Sequence, residues 1–402
     1  MQKLVLKNGL TILYHKKPGR AVAIQIMVRI GSNQEQAGQR GIAHMVEHLV
    51  FEGTKKRKSG NEIARVIENV GGDFNAYTSN HRTCYYVKVL QKHAPRSIAL
   101  LSDIMQNSIM REMDFQRERE VVYKEIDMFL DDPKSFQWLE LEKLLFKKNN
   151  AKYPSSGVKK DLKNLTRDDV FAFYKKYYSP QNVVISIAGD FPKWKNHIRK
   201  HFSDWKNSNY ISNRFLIKEP LLKQNKNKCI KKSYSSSYLL AGVNCAARTS
   251  ADSYVLDLIQ AHLGRGQSGR LFHELRGKLG LVYDVAVEYG SDIDFGYFVV
   301  YASYSKKNQK LVHSVIKKEL SNLQKVTVQE LKEAKAYIEG DHYLDLEDAQ
   351  KYADQLLYWH DLGGSAKLKE YVSQIKKVTI ADFHRVAKKY FSKIAMVELE
   401  GK

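Results

Sequence analysis

Cysteine is scarce in this chain. Its 402 residues hold three (Cys84, Cys229 and Cys245), an odd number with no C-x-x-C pair. That excludes a disulfide framework and points to a reducing compartment. Proline is also scarce, at 7, and with 43% hydrophobic and 27% charged residues the composition is globular rather than disordered. No apolar run approaches the ~18 residues of a membrane-spanning helix. The opening MQKLVLKNGLTILYH lacks the continuous apolar stretch and small-residue cleavage site of a signal peptide, so a cytoplasmic location without membrane insertion is expected. Acidic residues are in deficit, 44 Asp+Glu against 66 Lys+Arg, a net charge of +22. Such a balance raises nucleic acid as a partner. Yet the lysines are spread widely, and the densest cluster, KQNKNKCIKK at Lys223 to Lys232, comes with no zinc finger, RNP-like segment or basic heptad array. The charge reads as solvated surface, and no nucleic-acid partner is expected.

What is present alternates between strand and helix patterns. The first segment is apolar/polar on both sides of Asn8-Gly9, a hairpin turn, and continues into AVAIQIMVRIGS. Helical patterns follow from about Gly41 to Val50 and from about Ser59 to Val70, the second stopped by Gly71-Gly72. FNAYTSNHRTCYYVKVL then reads as strands, with β-branched and aromatic residues in alternation. Long amphipathic helices fill most of Ala94 to Lys147, and RDDVFAFYKKYY precedes the strand NVVISIAGDF. From about Trp205 to Cys229 no period is visible. Afterwards the order restarts with SSSYLLAGVNCAA, SYVLDLIQAHL, RLFHELRGKLG, VYDVAVEYG and GYFVVYASY, and it ends on AMVELE. The expectation is an α+β fold of two similar domains, each a mainly antiparallel sheet flanked by helices. Residues 1–210 form the first domain, 211–230 a linker and 231–402 the second.

The sharpest local feature is GIAHMVEHLVFEGT, with His44, Glu47 and His48 as H-x-x-E-H. On a helix, positions i and i+4 share a face, so both imidazoles can aim at one ion with Glu47 beside it. This is the reverse of the commoner H-E-x-x-H zinc motif. A catalytic zinc takes three protein ligands and leaves a position open, so a third ligand is required from another element. RERE-VVYKEIDMFLDDP offers Glu118 and Glu125, seven apart and on one helical face, and spacing does not choose between them. His197 and His201 are also i,i+4, but no glutamate accompanies them, and Arg199 and Lys200 lie between. They read as surface residues. Gly264, Gly266 and Gly269 do not have phosphate-loop spacing and read as a turn.

Taken together, these motifs resemble the pitrilysin-type (inverzincin) M16 metallopeptidase family, in particular its compact bacterial branch similar to the mitochondrial processing peptidase β subunit. The resemblance spans essentially the whole chain: the H-x-x-E-H helix with FEGT, GGDFNAYTS, R-E-R-E-V-V-Y-K-E, SPQNVVISIAGDF, SGRLFHELRGKLGLVYDV and VTIADFHRVAKKYF. It implies that His44, His48 and Glu125 hold one Zn2+ per chain, that Glu118 orients a ligand from behind, and that Glu47 activates zinc-bound water. It implies that Asn75 and Ala76 pair with an extended peptide substrate through the backbone. It further implies that Arg276 and Tyr283, in LRGKLGLVY, hold the substrate and stabilise the oxyanion.

The implied activity is zinc-dependent endopeptidase hydrolysis of peptides or small unfolded proteins, inside the cavity of a clam-shell homodimer. Two alternatives stand beside it. One is a presequence-type processing peptidase that needs a related partner subunit, as a heterodimer. The other is a non-catalytic structural subunit of the same family, against which the intact His44, Glu47, His48 and Glu125 set argues.

Overall fold

The computed structural model describes residues 1–208 and 216–401. These divide into two compact units. The first holds Met1–Met128, 153–208 and Asp345–Leu368. The second holds Phe129–Lys152, Leu216–Leu344 and residues from Lys369 onward.

The first unit is built on β1 (Gln2–Val5), β2 (Thr11–His15), β3 (Ala21–Val28), β4 (Asp73–Thr78), β5 (Thr83–Leu90) and β6 (Val183–Ala188). Their order is β1-β2-β6-β3-β5-β4, and every pair is antiparallel except β2 with β6. The expected turn joins β1 to β2, with Gly9 at φ +89, a conformation glycine adopts without a Cβ penalty. β6 (VVISIA) is buried at every residue, which accounts for its unbroken apolar run with a single serine. β4 is the sheet edge that matters for the site, because among the described residues it pairs with β5 alone. Helices α1 (Ile42–Leu49), α2 (Gly60–Glu68), α3 (Ala94–Asn107) and the first part of α4 (Glu112–Asp131) follow in the chain.

The second unit contains β7 (Lys226–Lys231), β8 (Ser237–Asn244), β9 (Val282–Ser291), β10 (Gly296–Tyr304) and β11 (Ala395–Glu400). Their order is β7-β11-β8-β10-β9, with only β7 and β11 parallel. Replacing β2, β6, β3, β5 and β4 of the first sheet by β7, β11, β8, β10 and β9 gives the same order, the same parallel pair and the same chain sequence of strands. The topology thus carries the duplication that residue identity between the halves is too low to reveal.

The helices repeat as well. In the first half α4 is followed by α5 (Pro133–Leu145), α6 (Lys159–Asn164), α7 (Arg167–Tyr177) and, after β6, α8 (Trp194–Phe202). In the second, α9 (Asp252–Gly264) and a single turn α10 (Arg270–Phe272) precede α11 (Gln309–Asn322), α12 (Val328–Asp345), α13 (Ala349–Asp361), α14 (Lys367–Lys377) and α15 (Ile380–Tyr390). Two helices depart from the sequence division at 210 and 231. α13 packs on β3 and β6 of the first unit. There Ser186 Oγ donates to the Ala353 carbonyl at 2.8 Å, and Gln25 Nε2 donates to Asp354 Oδ1 at 2.7 Å. α5 packs on β8 and β11, the equivalent strands of the second unit, and Gln137 Nε2 donates to the Tyr238 and Val397 carbonyls at 2.8 and 2.7 Å. Each sheet therefore carries on its central strands a helix that sequence order assigns to the other half.

Of the expected linker, 211–215 lie outside the described residues, while Lys226–Lys231 form β7 at a sheet edge. No described helix is long and apolar enough to cross a membrane.

Candidate metal centre

α1 begins at a glycine that cannot cap it. Gly41 is the N-cap, with φ +101 and no side chain to accept from the first turn. A β-carbon at Gly41 would lie 2.8 Å from the Ser156 carbonyl oxygen, so the position also requires the missing side chain for space. Glu35 supplies the acceptors instead: its two carboxylate oxygens take the N–H groups of Gly41 and Ala43 at 2.9 and 3.0 Å. These are among the orphan donors that every helix start leaves. Burial pushes the Glu35 carboxyl up to about 8, against the opposing pull of those two bonds and of Arg40.

From this start, Ile42, Ala43, Met45, Val46 and Leu49 are buried. That fixes the rotation of the helix and places His44, Glu47 and His48 along its remaining face. The two imidazoles meet nearly edge to face, 79° apart with centroids 4.7 Å apart.

The spacing of Glu118 and Glu125 left the third ligand open, and the geometry separates them. Glu125 Oε2 lies 3.8 Å from His44 Nε2 and 3.5 Å from His48 Nε2. Glu118 lies on the other side of the His48 ring, its Oε2 3.1 Å from Nδ1. Its second oxygen accepts from Arg117 Nε at 3.2 Å. Among the described residues, His44, His48 and Glu125 form a group whose donor atoms all lie within 4.8 Å of one another. A tetrahedral ion with bonds of about 2.0–2.1 Å needs donors roughly 3.4 Å apart, so small side-chain shifts close this set around zinc. Two imidazole nitrogens and one carboxylate oxygen are also the donor chemistry that zinc takes.

The electrostatics suit metal ligation. Burial, reinforced by His48, lowers the His44 imidazole to about 3 and keeps its ring neutral. His48 is raised. Burial works against its charge, but the hydrogen bond to Glu118 and the nearby Glu125 and Glu47 carboxylates outweigh it. Glu118 is lowered, first by its bond to His48. Glu47 is buried and raised by that burial, with a hydrogen bond from Thr78 opposing the shift.

The other expected residues take distinct places. Asn75 and Ala76 stand on the edge strand β4, and the Asn75 side-chain oxygen accepts from the Ala76 N–H at 2.8 Å. Arg276 lies in a π-helical turn, His273–Lys278, of the second unit, its guanidinium 5.2 Å over the Phe272 ring. Tyr283 is the second residue of β9 and is 59% exposed, and its hydroxyl is 2.8 Å from Ser305 Oγ. His197 and His201 lie on α8, where the His197 ring stacks on Phe191 at 5.3 Å.

Two residues at this site escaped the sequence reading, Glu35 and Thr78. A helix that opens after glycine without Ser, Thr, Asp or Asn at its N-cap is a signal that a nearby carboxylate stands in. Thr78 lies two residues beyond Ala76 on the same strand, and only the fold brings it to Glu47.

Two imidazoles of α1 and a carboxylate of α4 thus stand around one point, with the buried Glu47 on the helix of the imidazoles. Two family descriptions match the chain in succession: Insulinase (Peptidase family M16) over residues 10–157 and Peptidase M16 inactive domain over 164–338. The chain belongs to the M16 peptidase family. It is 29% identical to an uncharacterized zinc protease of Rickettsia bellii, over 98% of this chain and 96% of that one. To the uncharacterized zinc protease YmxG of Bacillus subtilis it is 28% identical, over 100% and 99%. The crystal structure of a protease from Helicobacter pylori superposes with a TM-score of 0.92 at 26% identity, over 99% of both chains.

Proposed function

We propose that this protein is a zinc-dependent endopeptidase that hydrolyses peptides or small unfolded proteins. The observation that carries the reading is the approach of Glu125 Oε2 on α4 to His44 Nε2 and His48 Nε2 on α1, the helix that also bears the buried Glu47.

When bound there, zinc would acidify water and polarise a carbonyl. Glu118 holds the Nδ1 side of His48 and leaves Nε2 free to ligate. Glu47 takes the proton of the attacking water and passes it to the leaving amine, as its raised affinity for protons favours. β4, paired on one side only, offers its free edge to an extended peptide, gripped by its backbone with little side-chain selectivity. In the same proposal the active unit is a homodimer, with Arg276 and Tyr283 of one copy serving the zinc site of the other. Mixing Glu47→Gln and Arg276→Ala subunits restores activity if that sharing holds, and leaves it absent if it does not.

The main test is cleavage of an internally quenched peptide pool by wild type beside Glu47→Gln, with zinc content measured for both. Activity that disappears in the variant while zinc stays bound supports the proposal. Equal activity in both, or a wild type that binds zinc and cleaves nothing, counts against it.

A further inference from the structure

Thr78 ends β4, the strand whose free edge the proposed function gives to the substrate. Its hydroxyl donates to Glu47 Oε2 at 2.5 Å. The other hydroxyl nearby, Thr83 Oγ1, is 3.4 Å away, and its own proton goes to the Ile30 carbonyl at 3.0 Å. Thr78 has a single proton to give, and the much shorter contact shows that Glu47 receives it. The partner is not there by chance of rotamer. Thr78 and Thr83 are directly paired across β4 and β5, so the sheet fixes where the Thr78 hydroxyl stands.

A glutamate reaches its carboxylate through three rotatable bonds, and a general base works only within hydrogen-bond reach of its proton. Thr78 takes one lone pair of Oε2, so the carboxylate is held in place with its other lone pairs, both of Oε1 among them, left to take a proton. Thr78 also belongs to the same strand as Asn75 and Ala76. A peptide laid along that edge is thereby placed in register with the carboxylate, because one strand holds both.

We propose that Thr78 is a positioning residue for the base: it pins one oxygen of Glu47 to the substrate-bearing strand and presents the other to the reacting water. The inference rests on the endopeptidase reading for its chemistry, but the pinning itself is a property of this chain's own residues.

Thr78→Val removes the hydroxyl while keeping shape and β-branching, and Thr78→Ser keeps the hydroxyl. A hydrogen bond to a charged acceptor corresponds to about ten- to hundredfold in rate where it acts in the transition state. The expected result for Thr78→Val is a kcat lower by about that factor with KM changed less than about twofold and zinc content unchanged; Thr78→Ser should recover most of the kcat. The second readout needs no activity. Crystal structures of the metal-free proteins should show the Glu47 carboxylate moved or spread over rotamers in Thr78→Val and back in place in Thr78→Ser. Thr78→Ala, which removes the hydroxyl with less bulk, repeats both measurements if the valine strains the strand. A Glu47 carboxylate in its wild-type position in both hydroxyl-free variants overturns the proposal, as does a Thr78→Ser enzyme no better than Thr78→Val. A wild type that cleaves no peptide overturns the endopeptidase reading instead, and the Glu47 positions then still decide on the pinning.

Discussion

The division of labour between two glutamates seven residues apart can be tested through metal affinity. Glu118 touches the ring nitrogen of His48 that faces away from the donor cluster, at 3.1 Å, while Glu125 faces both Nε2 atoms. Removing Glu118 leaves three donors but frees the His48 ring to rotate and makes it less basic. Losses of this kind weaken metal binding about 10- to 100-fold, or about 1.4–2.7 kcal/mol. Removing Glu125 deletes a donor, and its effect should exceed about a hundredfold. Glu118→Gln keeps an acceptor for Nδ1–H and gives up only the charge, so it should fall between wild type and Glu118→Ala. Glu120, exposed on the same helix, supplies the control, and Glu120→Ala should bind as wild type does. The assay is competition for zinc against a chromophoric chelator, for all five proteins at one pH and ionic strength. A Glu118→Ala affinity within about twofold of wild type would refute the orienting role. A loss larger than that of Glu125→Ala would show that the two carboxylates have exchanged roles.

Gly41→Ala should destabilise the first unit by at least ~2 kcal/mol, read as a lower thermal midpoint. A β-carbon is strained at φ +101 and would lie 2.8 Å from a carbonyl oxygen. Glu35 gives a pH signature. Its folded-state pKa of about 8 lies above the ordinary 4.5, so the folded protein holds this proton more tightly than the unfolded chain does. The stability it contributes is complete below about pH 4.5 and is lost as pH rises through about 8, at up to ~1.4 kcal/mol per pH unit. Glu35→Gln should lack that slope, so the difference between its denaturation profile and that of wild type should carry it; parallel profiles would contradict the assignment. Ala76→Pro deletes an N–H that the Asn75 side chain accepts from and that, by the antiparallel alternation counted from the Ser79–Arg82 pair, points away from β5, so the sheet should fold while peptide KM rises by up to about tenfold. An unchanged KM would argue that substrate does not use this edge.

The sequence carried most of this fold, and its failures have physical causes. The β1–β2 hairpin was legible because Asn8-Gly9 is a turn signal and both flanks alternate. His44 and His48 were legible because their spacing is a helical face. β7 was not. KNKCIK is almost wholly exposed and pairs at a sheet edge through its backbone, so it has no apolar alternation to reveal it. The exchange of α5 and α13 was equally hidden, since periodicity shows that a helix buries a face but not which sheet receives it. Spacing alone left Glu118 and Glu125 equivalent for a related reason, and it was the resemblance that named Glu125. Both lie on one face of α4, and only the approach of α1 decides which carboxylate meets the Nε2 atoms. The π-helical turn at His273–Lys278 also escaped notice, because a helical pattern does not distinguish a widened turn from a regular one.

The two sheets share strand order, the position of the parallel pair and the sequence of helices that follows, so the scaffold itself does not account for a donor cluster that, among the described residues, stands in the first unit and not the second. The difference lies in what the first helix after the central strand does with its polar groups. In α1 the N-terminus is satisfied by Glu35, which leaves His44 and His48 to face Glu118 and Glu125 of α4 and Glu47 to take the Thr78 hydroxyl. In α9 the acidic groups are already engaged. Asp252 accepts from Arg385, Lys389 and Tyr390, and Asp257 pairs with Arg248 at 2.6 Å. Its one histidine, His262, is buried, and burial lowers its pKa. α9 therefore has one buried histidine where α1 has two on one face. The capping carboxylate of Glu35, nine residues before His44, is therefore part of what leaves the polar face of α1 to its histidines and Glu47.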